Sequence, residues 1–183
     1  MLIKIIKRLL ALLFSTDKSW QKISKEKENH EEFINNFLFP IFGFISITTF
    51  IGGMWIANNG GIHYALKITI AVVTALFGGF YVASIFINEL FPKYGMVKDK
   101  LIAQQFVGYS SIVIYLIYLF LPFLQGLNII WALALYSLLL IYSGVNHFLE
   151  IDKDKRVLFS IIAFIVIFLS PILLNYLLQL AII

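Results

Sequence analysis

The chain has 183 residues, of which 61% are apolar and 13% charged, with 18 Phe, 9 Tyr and no Cys. Soluble domains run at about 45–50% apolar and about 25% charged, and a domain this small leaves much of its surface in water. The composition therefore excludes a soluble cytosolic enzyme, a disordered chain and a disulfide scaffold. With a net charge of +4, what matters is where the Lys and Arg sit relative to a membrane, and no nucleic-acid partner is expected.

Residues 1–36 form a basic arm. In Met1–Phe14, Lys4, Lys7 and Arg8 are three and four apart and share one helical face. Ile5, Ile6, Leu9, Leu12 and Leu13 cover much of the rest. The pattern predicts an amphipathic helix lying in the membrane interface. There Lys4, Lys7 and Arg8 meet anionic lipid headgroups, each worth about 1 kcal/mol near the surface. The apolar stretch after Arg8, Leu9–Phe14, is shorter than the core of about 7–15 residues that a signal peptide needs. Ser15–Asn36 is charged and mixed in sign. Asn29-x-x-Glu32 has the spacing of a capping box for a helix running into the first span, and Pro40 is expected early in that helix.

A helix needs about 20 mostly apolar residues to cross a hydrocarbon core of about 30 Å. The runs that qualify are Phe37–Ala57, Ile68–Phe91, Phe106–Leu124, Ile129–Leu149 and Val157–Ile183, and Glu89 is their one charged residue. They do not alternate as barrel strands do. The fold class is therefore an all-α integral membrane protein: a five-helix transmembrane bundle over residues 37–183 with the N-terminal interfacial amphipathic helix in 1–36. Asn58-Asn59-Gly60-Gly61, Pro92, Gln125-Gly126-Leu127-Asn128 and Glu150–Arg156 punctuate the runs. Ala71, Ala75, Gly79 and Ala83, four apart, make a small-residue ridge suited to close helix packing, which puts the second span at the centre of the bundle. Pro171 lies mid-run in the fifth span and predicts a kink.

Thirteen of the 14 Lys and Arg lie in residues 1–36, in the second connection (Lys93, Lys98, Lys100) or in the fourth (Lys153, Lys155, Arg156). Only Lys67 lies on the other side. The positive-inside rule then predicts a cytoplasmic N-terminus and an outside C-terminus. Trp55 and Trp131 would both fall at the outer interface, where indole rings prefer to sit.

Glu89 is by default a functional candidate, as an ionisable residue inside a span, although near the helix end it can reach the interface or pair with Lys93. Tyr142, Asn146 and Glu150 line one face of the fourth span, with Ser143 and His147 on the adjacent stripe. Asn88 and Glu89 end the second span, and Tyr109, Ser110 and Ser111 open the third. At a common cytoplasmic depth these residues could enclose an inward-facing pocket for a lipid headgroup, an ion or a partner peptide. They could equally be ordinary helix-end solvation. His30, His63 and His147 are too scattered to bind a metal, and no hydrolase or phosphate-loop motif occurs. The expectation is therefore no enzyme, no metal and no cofactor.

The order of features resembles the Yip (Ypt/Rab-interacting) membrane protein family, in its compact bacterial form. The resembling residues are Trp20-Gln21-Lys22-Ile23 after the basic arm, Phe39-Pro40 opening the first span, and Leu90-Phe91-Pro92-Lys93. Gly108-Tyr109-Ser110, Pro122, Leu135-Tyr136-Ser137-Leu138 and Tyr142-Ser143-Gly144 follow. The resemblance covers nearly the whole chain and implies five spans with a cytoplasmic N-terminus. It brings no catalytic residues. Eukaryotic relatives act in vesicle traffic and contact Rab GTPases through longer cytosolic regions than this arm, so that role is not carried over. The leading expectation is a non-enzymatic protein of the bacterial inner membrane that organises the membrane or recruits a protein partner or a second copy of itself. The alternative is a transporter, channel or lipid scramblase using the cytoplasmic-side polar group.

Overall fold

The computed structural model describes residues 2–26, 28–57, 60–124 and 128–182. Lys27, Asn58, Asn59, residues 125–127 and the chain end at Ile183 lie outside the described residues, as do the side chains of Lys4 and Trp131. The fold is the all-helical bundle expected, with no strand among the described residues. In chain order the helices are α1 (Leu2–Phe14), α2 (Thr16–Lys25), α3 (His30–Ile56), α4 (Ile62–Tyr94), α5 (Lys100–Ser110), α6 (Ile112–Phe123), α7 (Ala132–His147) and α8 (Lys153–Ile182).

Helices α3, α4 and α8 are each long and apolar enough to cross a membrane, and the bent pair α5–α6 makes a fourth candidate. Helix α7 is shorter. Its first four residues, Ala132–Leu135, belong to a 3₁₀ stretch, Asn128–Leu135, and its α-helical part is Tyr136–His147. At about 2.0 Å per 3₁₀ residue and 1.5 Å per α residue, Asn128–His147 reaches about 34 Å.

The asparagine cap forms as its spacing predicts. Asn29 Oδ1 accepts from the Glu32 amide at 2.9 Å, and the Asn29 amide donates to Glu32 Oε2 at 3.1 Å. That cap starts α3 at His30, so Pro40 sits ten residues in rather than in the first turn. The π turn Ile34–Leu38 directly precedes the Phe39-Pro40 pair. An inserted residue of this kind is one way a helix absorbs a missing donor.

Helix α4 is the hub. It packs most extensively on α8, and also on α3 and α5. Its small-residue ridge, Ala71, Ala75, Gly79 and Ala83, is buried within the chain. A Cβ on Gly79 would lie 2.6 Å from the Pro171 nitrogen and 2.7 Å from its Cα. The Pro171 backbone therefore occupies space that only glycine leaves open. Helix α8 runs through Pro171 as one helix from Lys153 to Ile182. The pronounced break in a span lies elsewhere: α5 and α6 meet at 44°. At that junction Ser111 Oγ donates back to the Val107 carbonyl at 2.7 Å, a side-chain bond that bends helices.

Contacts set the direction of each helix. Phe33 meets Phe80 and Gly53 meets Ala65, so α3 and α4 are antiparallel. Tyr94 meets Phe159 while Gly79 meets Pro171, so α4 and α8 are antiparallel too. Gly108 abuts Phe33 and Pro122 abuts Gly52, so α5–α6 runs with α3. The helix ends at His30, Tyr94, Lys100, His147 and Lys153 therefore share one end of the bundle, and Ile56, Ile62, Phe123 and Ile182 share the other. Lys93, Lys98, Lys100, Lys153, Lys155 and Arg156 all belong to the first end. Helix α4, at 33 residues, is about 50 Å long at 1.5 Å per residue. It outruns a hydrocarbon core of about 30 Å.

Candidate functional site

The lysine-rich end carries an aromatic core with polar residues threaded through it. Trp20, Phe33, Phe37, Phe106, Tyr109 and Phe159 are all fully buried there. Tyr109, in the last turn of α5, is its centre. The rings of Phe37, Phe33 and Trp20 lie 4.5, 5.2 and 6.2 Å from it. The Arg8 guanidinium stands over the Tyr109 ring at 4.7 Å, a cation–π contact screened from water by the surrounding rings.

Residues 8, 26 and 28 tie the arm to this core. Tyr109 donates its phenolic proton to Glu28 Oε2 at 2.6 Å, and Gln105 Nε2 donates to the Glu28 carbonyl at 2.8 Å. Arg8 pairs with Glu28 at 3.2 Å and with Glu26 at 2.6 Å. The Glu28 side chain is only 14% exposed, and its charge is matched by the Arg8 guanidinium and the Tyr109 hydroxyl. Arg8, expected at the lipid surface, instead turns inward to protein partners. Lys7 stays exposed, flanking a cleft of about 320 Å³ between α1 and α2.

Helix α2 lies along α7. Trp20 seats against Gly144, where a Cβ would come within 2.8 Å of the indole, and its Nε1 donates to the Leu140 carbonyl at 3.0 Å. Beside it, Ser143 Oγ donates to Asp17 Oδ1 and Gln21 Nε2 lies 3.3 Å from His147 Nδ1. His147 Nε2 lies 3.5 Å from Asp17 Oδ1. The arm is therefore a folded hairpin fixed to the bundle at two places, and Lys18, Lys22 and Lys25 stay exposed.

A third polar place lies between α4 and α5. Glu89 is paired with Lys98, not with Lys93. Asn88, Glu89, Lys100 and Gln104 line a cleft of about 260 Å³.

The residues expected to form a single pocket thus share an end of the bundle but divide among these places. Tyr109 belongs to the Arg8–Glu28 cluster. Asn146 and His147 belong to the α2–α7 seam, with Asn146 Nδ2 3.1 Å from His147 Nε2. Asn88 and Glu89 belong to the α4–α5 cleft. Ser110 is buried with its hydroxyl unpaired, while Tyr142 and Glu150 are exposed. Among the described residues, no group of His, Asp and Glu could hold a metal ion.

Sequence reasoning passed over another cluster, at the opposite end. Thr49, Tyr64, Tyr118, Asn175 and Gln179 line a cavity of about 190 Å³, and Gln179 Nε2 donates to Asn175 Oδ1 at 3.2 Å. The available signal was two amides four apart in an otherwise apolar run.

The sequence model of the Yip1 domain matches residues 10–174. The chain belongs to the Yip1 domain family. This makes it a multi-pass membrane protein of the Yip type, in keeping with its apolar helices. The Yip1 domain match runs from Leu10 in α1 to Leu174 in α8, so it takes in the arm's seat as well as the bundle. No curated protein and no solved structure matches the chain.

Proposed function

We propose that this Yip1 domain protein is a non-enzymatic protein of the bacterial cytoplasmic membrane that recruits a partner to the membrane surface. In this reading the N-terminus is cytoplasmic and the C-terminus outside. Support for the orientation comes from the Lys and Arg gathered at one end of the bundle. Support for recruitment comes from one observation: the arm is a seated hairpin. Its inner face is fixed by Trp20, Arg8 and Asp17, and its outer face displays Lys18, Lys22 and Lys25. A rigid basic face loses less entropy on binding than a free tail would, and it favours an acidic partner surface.

The test is proximity labelling in cells, with the native chain compared with a Lys18→Glu, Lys22→Glu, Lys25→Glu triple variant. The three residues are exposed, so the fold should hold, as an unchanged melting temperature would show. Acidic proteins that disappear from the labelled set only in the triple variant would support the reading. An unchanged labelled set would overturn it.

A further inference from the structure

The cleft between α4 and α5 holds the chemistry of a headgroup site. It opens at the lysine-rich end, next to the outward, apolar face of α4, where Tyr81, Val82, Ile85 and Phe86 are exposed. Its floor is Asn88. This residue is only 8% exposed, and its side-chain oxygen has no partner in the protein. A buried amide oxygen left unpaired costs about 1–3 kcal/mol. Asn88 lines the cleft, where a bound donor can satisfy that oxygen. The rim carries Glu89 paired with Lys98, and Lys100 with Gln104 on α5. Asp99 caps α5 by accepting from the Leu101 and Ile102 amides at 2.8 and 3.0 Å. Glu89 and Asp99 balance Lys98 and Lys100, so the cleft is locally neutral with both signs displayed.

We infer that this cleft binds the headgroup of an ethanolamine phospholipid, with its acyl chains along the exposed face of α4. The primary ammonium carries three N–H donors. It would sit between the Glu89 carboxylate and the Asn88 oxygen, displacing Lys98. Lys98 and Lys100 would then take the phosphate. The neutral rim matches a zwitterion. A choline headgroup has no donor for Asn88. A glycerol headgroup has no cation for Glu89 and adds an unbalanced negative charge. Both signs are needed, and the ethanolamine headgroup carries them side by side. The site lies apart from the arm and goes beyond the recruitment reading.

The test is lipid retention by the full-length protein in detergent, read by native mass spectrometry. The competing lipids share acyl chains: ethanolamine, its mono- and dimethyl forms, choline and glycerol phospholipids. Retention should fall with each methyl added to the nitrogen. The span from ethanolamine to choline should be about tenfold, equivalent to 1.4 kcal/mol. Glu89→Gln and Asn88→Leu should each bring that ratio to within about twofold. Glu89 is exposed, so E89Q keeps the test decisive even if the buried substitution fails to fold. Equal retention of ethanolamine and choline lipids by the native chain would overturn the assignment. So would a preference for the glycerol lipid, or an ethanolamine preference that E89Q leaves intact.

Discussion

Replacing Trp20 by Ala should release the arm from the bundle. The indole is fully buried, and it fills the notch at Gly144 against Phe106, Phe148 and Tyr109. It also donates to the Leu140 carbonyl. The released side of the equilibrium is hydrated, because α2 is otherwise rich in Lys, Asp, Ser and Gln. Soluble-core magnitudes therefore apply, and Trp→Ala at such a site costs about 3–5 kcal/mol. The Leu140 carbonyl stays paired within α7, so no further penalty for a stranded acceptor is added. A shift of about 3–5 kcal/mol multiplies the population of the released arm by roughly 10²–10³ or more, at tenfold per 1.4 kcal/mol. The chain has no cysteine, so an Ile23→Cys substitution at a buried position of α2 supplies a single thiol. Its labelling rate in membranes with a water-soluble maleimide should rise by about 10²-fold or more when Trp20→Ala is added. Rates that agree within twofold would refute the docked arm and the burial argument with it.

Glu28→Gln removes the charge that holds both Arg8 and Tyr109, and should destabilise the protein by about 1.5–3 kcal/mol in a melting assay. Glu26→Gln, on the more exposed partner of Arg8, should cost under about 1 kcal/mol. Gly79→Val drives a side chain into the Pro171 backbone and should abolish recovery of folded protein. Gly43→Ala, which meets nothing within 4 Å, should fold and gain up to about 1 kcal/mol in melting. Glu150 joins α7 to α8 with φ at +53°, and Glu150→Gly should raise stability by about 0.5–1 kcal/mol as the left-handed strain is relieved.

Local and periodic features of the fold were legible in the sequence. The Asn29–Glu32 cap depends on residues three apart, and it formed. The ridge from Ala71 to Ala83 is a four-residue repeat, and it is the buried face of the central helix. Long apolar runs mark helices because lipid leaves the backbone no other way to pair. The positions of Arg8 and Tyr109 were not legible in this way. The Glu28–Tyr109 bond joins residues 81 apart in the chain, and nothing in the neighbourhood of Tyr109 announces it. Read alone, Arg8 looks like a lipid-facing base. Only the return of the chain through Glu26 and Glu28 gives it partners within the protein. The α5–α6 bend was hidden for another reason: serine is common at helix ends, and the bond from Ser111 to Val107 is one of several it could make. Pro171 drew attention as a breaker, yet its structural role is the flat surface it offers to Gly79.

The seat of the arm has a consequence for how the chain is made. Trp20 emerges early from the ribosome, while its acceptor at Leu140 lies 120 residues later. At about 5–20 residues per second of synthesis, the amphipathic hairpin waits roughly 6–24 s for the surface it will occupy. The apolar side of α1 must rest somewhere in that interval, and the nearest host is the bilayer surface itself. The basic face of α1 would then act first as a temporary mooring during translation. Only when α7 has been made would Trp20 reach its acceptor and lock the arm inward as a latch.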